Sequence, residues 1–239
     1  MRVLITRPEE DAERLAEELR VRGHEPIVSP LMTIHYLDGP EVSLQGIQAV
    51  VATSANGIRA LMRRTANRDV SIFAVGPQTA AAARAAGFAQ TRNAGGDAAS
   101  LSNAIREWAD PKAGPLLHVA GQERGGGLAQ SLAEAGFSVE VQVLYAAIES
   151  EQFSPAALAA LSARAVDAVM LFSPRSARLF VERIRRVGLQ ARCFEMVALC
   201  ISKAVAGPLH GLPFKTIRVA HRPDQESMLA LLDEAAAAP

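Results

Sequence analysis

A chain of 239 residues can bury one large core or two modest ones, and this length favours two. Hydrophobic residues make up 49% and aromatics 5%, so the interior must be filled by Ala, Val, Leu and Ile, as where helices pack on a parallel sheet. Bases and acids number 25 each, and zero net charge gives no electrostatic case for nucleic acid or a membrane surface as partner.

Residues 3–5 read as a short apolar strand that ends at Thr6-Arg7-Pro8. The chain enters it without a signal-peptide core, and no run approaches the ~18 apolar residues of a membrane span, so a soluble cytoplasmic protein is expected. Leu15, Ala16 and Leu19 mark one face of a helix over about 9–22, with acids in its first turn and Gly23 as its stop. A second strand comes in over 26–30, and 32–37 continues as an extended piece until Asp38-Gly39-Pro40 breaks it.

The stretch 49–59, Ala-Val-Val-Ala-Thr-Ser-Ala-Asn-Gly-Ile-Arg, is a buried strand that stops at Thr53-Ser54 and turns into a helix marked by Ile58, Leu61 and Met62. A strand over 70–75 leads through Gly76-Pro77-Gln78-Thr79-Ala80 into an alanine-rich helix closed by Gly87. Residues 93–97 form a loop, and Leu101, Ile105 and Trp108 line the next helix.

After a break at 110–115, a strand over 116–120 meets a Gly-rich loop at 121–127 and a helix at 128–135, stopped by Gly136. Residues 139–147 form a long strand. A helix starts at Phe153-Ser154-Pro155, and the strand-turn-helix design returns over 168–178, with Ser173 matching Ser54 and Arg178 matching Arg59. A strand at 196–201, a helix through Val205 and Leu209 to Gly211, a strand at 216–219 and a helix at 224–237 complete the chain.

Self-similarity runs deeper than that one motif. Leu15, Leu19 and Gly23 superpose on Leu128, Leu132 and Gly136 at one constant offset, and Ala74, Ala80 and Gly87 on Ala198, Ala204 and Gly211 at another. Asp97-x-x-x-Leu101 is echoed by Asp224-x-x-x-Met228. The order is therefore unit A, unit B, unit A, unit B. Neither can cover a sheet alone, so an A must join a B in a doubly wound domain. Consecutive units could pair, with a boundary near 111–115. Alternatively the first A joins the last B, the middle pair is inserted, and two extended connectors cross between the domains.

These residues also resemble the uroporphyrinogen-III synthase family along almost the whole chain. The matching stretches are Ile5-Thr6-Arg7-Pro8, Pro30-Leu31, Thr53-Ser54-Ala55-Asn56-Gly57 and Ala74-Val75-Gly76-Pro77-x-Thr79-Ala80. Gly136 followed by 141–145, and Phe172-Ser173-Pro174-x-Ser176, complete the set. The resemblance implies the interleaved α/β fold of two doubly wound, flavodoxin- or Rossmann-like parallel-sheet domains joined by a two-stranded β connector. Its domains would be 1–34 plus 149–239, and an inserted 38–144, with connectors near 32–37 and 141–148. The resemblance also implies a cyclising hydro-lyase, working as a monomer in a cleft between domains without cofactor or metal. The linear tetrapyrrole hydroxymethylbilane would lose its hydroxyl, invert its terminal ring through a spiro intermediate and close as uroporphyrinogen III, a step of haem biosynthesis. Two loops depart from the family pattern. Cys200-Ile201-Ser202-Lys203 keeps one hydroxyl and places a lysine where a second is usual, and Arg124 is offset in its loop.

The substrate carries many carboxylates, so it needs N–H donors and a few cations; its leaving hydroxyl needs a proton. Tyr145, on the second connector, matches the family's tyrosine and is the candidate proton donor, since a neutral phenol can give up a proton at the moment it is needed. A tyrosine packed at a hinge would look the same, and a water could serve instead. Tyr36 is its natural control. The candidate substrate contacts are Arg7, Thr53, Ser54, Asn56, Gly76, Arg124, Ser173, Arg175, Ser202 and Lys203. The hydroxyls lie at strand-to-helix turns, where helix capping needs them equally.

Other motifs fall away. The loop 121–127 lacks P-loop or GxGxxG spacing. The five histidines are scattered, and Cys193 and Cys200 have neither CxxC nor metal-ligand spacing. The runs Arg63-Arg64 and Arg183-x-Arg185-Arg186 read as solvated helix faces. The preference for arginine over lysine suits carboxylate recognition but also follows from a GC-rich genome. The competing reading is a non-catalytic two-lobe small-ligand-binding or sensing protein.

Overall fold

Strands that are apolar on both faces belong between two helical layers, and the chain places them there. The computed structural model describes residues 1–123 and 127–237. They form β1 (Arg2–Ile5), α1 (Glu9–Val21), β2 (Glu25–Val28), β3 (Met32–Tyr36), β4 (Ala49–Ala52), α2 (Ala55–Met62), β5 (Ser71–Ala74) and α3 (Pro77–Ala85). Next come β6 (Thr91–Asn93), α4 (Ala98–Trp108), β7 (Leu116–Gly121), α5 (Leu128–Glu134), β8 (Val139–Glu149), α6 (Pro155–Ser162), β9 (Ala168–Leu171) and α7 (Pro174–Arg186). A 3-10 segment, Gln190–Glu195, precedes β10 (Val197–Cys200) and α8 (Lys203–Ala206). A 3-10 turn, Gly207–Gly211, then leads to β11 (Thr216–Val219) and α9 (Gln225–Ala237).

The chain divides into two units: Met1–Thr33 with Ile148–Pro239, and Ile34–Ala147. The first has a five-stranded sheet, β11-β10-β9-β1-β2, and the second a six-stranded one, β3-β8-β7-β4-β5-β6. The pairs β1–β2, β1–β9, β9–β10 and β10–β11 are parallel, as are β7–β8, β4–β7, β4–β5 and β5–β6. With β3 set aside, the two sheets share one flavodoxin-like order. The first sheet takes its leading strand pair from the chain's start, β1 and β2. The second takes the equivalent pair, β7 and β8, from after its other strands. This is the interleaved assembly, the middle B and second A forming the inserted unit.

Alternation along each strand fills both faces. In the first unit Leu4, Val169, Leu171 and Ala198 pack with Phe180 and Ile184 of α7, while Val3, Ile5, Met170 and Leu199 pack with Leu15 and Leu19 of α1 and Leu229 and Leu232 of α9. In the second, Val50, Ala52, Ile72 and Val119 face Ile58 and Leu61 of α2, while Ala49, Val51 and Phe73 face Leu101 and Ile105 of α4 and Leu132 of α5. All four β4 residues are fully buried. Truncating one of the buried leucines or isoleucines of these layers to alanine costs about 2–5 kcal/mol.

Three local expectations need correction. Asn93, expected to open a loop, ends an edge strand over Thr91–Asn93 that the sequence did not announce, because pairing with β5 recruits a Thr-Arg-Asn segment that has no apolar signal of its own. The helix expected to run to Gly211 is a single α-helical turn, since Gly207-Pro208 converts the rest to 3-10. Arg183 is 4% exposed rather than solvated. It lies three residues after Phe180, on the buried stripe of α7, and donates to the Ser150 carbonyl at 2.8 Å.

Candidate active site

In each sheet the strand order reverses between two neighbours, and open α/β sheets bind ligands at the carboxyl ends of such a pair. In the second unit that pair is β7 and β4, with Ala52 opposite Val119. Beyond it Thr53 and Ser54 leave the sheet. Ser54 is extended (φ −155°, ψ 145°) and accepts from the Asn56 N–H at 3.1 Å, capping α2. The Asn56 side-chain carbonyl in turn accepts from Arg59 at 2.7 Å. Gly57 lets α2 reach the sheet: a Cβ there would lie 3.0 Å from the Val119 carbonyl oxygen. Gly76 (φ −154°, ψ 174°) begins α3 from the end of β5, followed by Pro77 in the first turn.

Tyr145 reaches the same edge through an irregularity. The ladder between β7 and β8 runs regularly from Leu116–Val139 to Ala120–Val143, then jumps to Gly121–Tyr145. Leu144 is therefore an extra residue, a β-bulge that re-aims the side chain after it. Consistent with this, the neighbours Leu144 and Tyr145 both join the layer containing Val50, Ile58 and Val119. The Gln122 N–H donates to the Tyr145 carbonyl at 2.8 Å and closes the ladder beyond the bulge. Tyr145 is half-buried, and among the described residues its hydroxyl makes no hydrogen bond.

In the first unit the reversal lies between β1 and β9. Thr6, fully buried, donates to the Met170 carbonyl at 3.0 Å and ties the two strands at their ends. The Arg7 side chain is only 10% exposed: it pairs with Asp11 at 2.8 Å, donates to Gln225 at 3.0 Å and lies 4.6 Å over the Phe172 ring. Ser173 (φ −152°, ψ 152°) forms a capping box with Ser176 at the start of α7. Arg175 pairs with Glu149 at 3.2 Å. Ser202 (φ −157°, ψ 165°) precedes α8 with no side-chain cap, and the next residue, Lys203, is exposed.

Thr53, Ser54, Asn56, Gly76 and Tyr145 thus share the carboxyl edge of one sheet, and Arg7, Ser173, Arg175, Ser202 and Lys203 that of the other. Arg124 lies outside the described residues. Sequence reasoning quoted Ser176 in a matching stretch but gave it no role, although its spacing of three from Ser173 is the signature of a capping box. It also missed Gly121, which carries no local signal. Among the described residues no cluster of His, Cys, Asp and Glu could hold a metal ion. Cys193 and Cys200 are buried, and burial pushes both thiols up to about 12.

Two interleaved flavodoxin-like units, with hydroxyl-bearing turns at the carboxyl edge of each sheet, define a two-domain, doubly wound α/β protein. The profile of the family described as Uroporphyrinogen-III synthase HemD matches residues 13–230, and the chain belongs to that family. Its activity is that of a cyclising hydro-lyase of porphyrin biosynthesis, uroporphyrinogen-III synthase. The uroporphyrinogen-III synthetase of Helicobacter pylori is 16% identical and superposes with a TM-score of 0.63 over 98% of this chain and 99% of that one. A mutant uroporphyrinogen III synthase of Thermus thermophilus is 18% identical, with a TM-score of 0.56 over 99% of this chain and 98% of that one. Both show the fold. No sequence among curated proteins matches the chain.

Proposed function

We propose that Tyr145 protonates the leaving hydroxyl of hydroxymethylbilane, and that strand-to-helix turns at the carboxyl ends of the strands hold its acetate and propionate arms. The C–O bond breaks, water departs with the phenolic proton, and a positive azafulvene remains on the substrate. The substituted carbon of the terminal ring attacks this centre and gives the spiro intermediate. Rearrangement and ring closure release one proton, which restores the phenol. Backbone N–H groups and hydroxyls at Thr53, Ser54, Asn56, Gly76, Ser173 and Ser202 bind the carboxylates, and Lys203 adds a cation, so fixed dipoles steady the charge as it develops and decays. The enzyme acts as a cytoplasmic monomer in this reading. Among the described residues no helix is long and apolar enough to cross a membrane.

The observation that carries the assignment of the proton donor is the bulge that puts the Tyr145 phenol at the carboxyl edge of its sheet, opposite Gly121. The test is to supply freshly made hydroxymethylbilane and resolve the product isomers. The type III isomer is expected, formed about 100-fold more slowly by Tyr145→Phe. Type I product alone, at the spontaneous rate, would leave a binding protein without catalysis.

A further inference from the structure

We propose that Gly121 is a positioning residue for the reaction, because the missing side chain there and the adjoining bulge together set the direction of the Tyr145 phenol. The inference rests on Tyr145 being the proton donor.

Several glycines in this chain are demanded by the backbone. Gly23, Gly87 and Gly136 stop helices at φ of 78°, 92° and 89°, where a side chain is strained. Gly121 is not among the positive-φ glycines, so its backbone accepts any residue. What excludes a side chain is the tyrosine. A Cβ on Gly121 would lie 2.9 Å from both Cε2 and Cζ of Tyr145 and 3.1 Å from its hydroxyl oxygen. The ring therefore lies flush against bare backbone at the end of β7.

The bulge explains how it gets there. Leu117, Val119 and Gly121 alternate onto one face of β7, the face that packs on α2. In an unbroken ladder the residue opposite Gly121 would be Leu144, and Tyr145 would turn to the other face. The extra residue brings Tyr145 opposite Gly121 instead, and the hydrogen bond from Gln122 locks that register. A single methyl group on Gly121 would overlap the ring where it now lies and force the phenol to shift. A shift of about 1 Å at a reacting group is enough to cost orders of magnitude in rate.

The experiment is a double-mutant cycle on kcat and KM, with Gly121→Ala, Tyr145→Phe and the pair, each checked for native circular dichroism. Gly121→Ala should lower kcat about tenfold or more with KM within about twofold, and should change kcat less than about twofold once Tyr145 is Phe. Undiminished kcat in Gly121→Ala, or the same loss in both backgrounds, overturns the proposal. If Tyr145→Phe alone keeps full kcat, the donor assignment fails first, and that result is read without Gly121. A measurement that leaves Gly121 intact guards against a variant that does not fold. In Tyr36→Phe protein labelled with 13C-tyrosine, nuclear Overhauser contacts between the Gly121 α-protons and the remaining tyrosine ring are expected. Their absence overturns the proposal.

Discussion

Ser54 and Ser173, in different units, hold almost the same extended backbone, φ −155° and ψ 145° against φ −152° and ψ 152°, and each caps the helix after the second strand of its reversal pair. Gly76 and Ser202 repeat the conformation one strand further out in each sheet. The duplication is thus preserved at the turns, where a sheet edge must become a helix, more faithfully than in the sequence that builds them.

Capping and ligand binding can be separated at these serines. Ser54→Ala and Ser173→Ala should each lose about 1 kcal/mol of stability, while the glycine variants lose only a few tenths. Ser173→Ala should be the costlier, because its box with Ser176 is reciprocal. A KM that rises in the glycine variants as much as in the alanine ones then reports contact with substrate. Denaturant unfolding and steady-state kinetics on the same preparations decide it.

Arg183 is the buried end of an ion cluster, with its side chain 5% exposed beside Glu182 at 2.8 Å and Glu149 at 3.7 Å. Both glutamates are about half exposed, so they rehydrate when it is removed. The loss falls on the hydrogen bond to the Ser150 carbonyl and on packing. Arg183→Ala should cost about 1.5–3 kcal/mol, and Arg183→Met should recover part of it by filling the space. Thermal unfolding of the three proteins provides the check.

Acid should act through Asp167. Its carboxylate accepts from the Arg2 guanidinium at 2.8 Å and from the Arg2 backbone N–H at 2.7 Å, joining the starts of β1 and β9. The Arg2 side-chain hydrogen bond, opposed by partial desolvation, holds Asp167 below the usual carboxylate range. A lowered folded-state pKa stabilises above the unfolded value of ~3.9 and loses that contribution as pH falls through the folded one. Asp167→Asn should therefore be less stable than the parent at pH 7, and the gap should close below about pH 4. A gap that persists at low pH would assign the effect to packing.

The two thiols should be silent in the folded protein. With both pushed up to about 12 by burial, almost no thiolate exists at pH 8, so a thiol reagent should label neither cysteine until denaturant is added. Reaction counted by mass spectrometry before and after unfolding tests this directly.

The fold was legible where a residue type is dictated locally. Gly23, Gly87 and Gly136 stop helices because each takes a left-handed φ, and Ser54 and Ser173 cap helices because their oxygens meet free N–H groups. The duplication could be read from the spacing of those same residues. The site was legible only in part, because its remaining features depend on partners distant in the chain. The bulge at Leu144 exists only against β7, and nothing in Val-Gln-Val-Leu-Tyr marks it. Arg7 is taken up by Gln225, 218 positions away. Arg183 stood on the same stripe as Phe180 and could have been found by periodicity, had its charge not suggested solvent.

The interleaving also bears on how the protein can be taken apart. Leu37 and Leu144 share a hydrogen bond of 2.9 Å, and Leu31 and Ser150 one of 3.0 Å, so the two cut ends of either unit lie side by side. A short linker could therefore splice residues 33 and 148, and segment 34–147 could be expressed on its own. Each product would keep its own sheet and both of its cores, which are what a domain needs to fold alone.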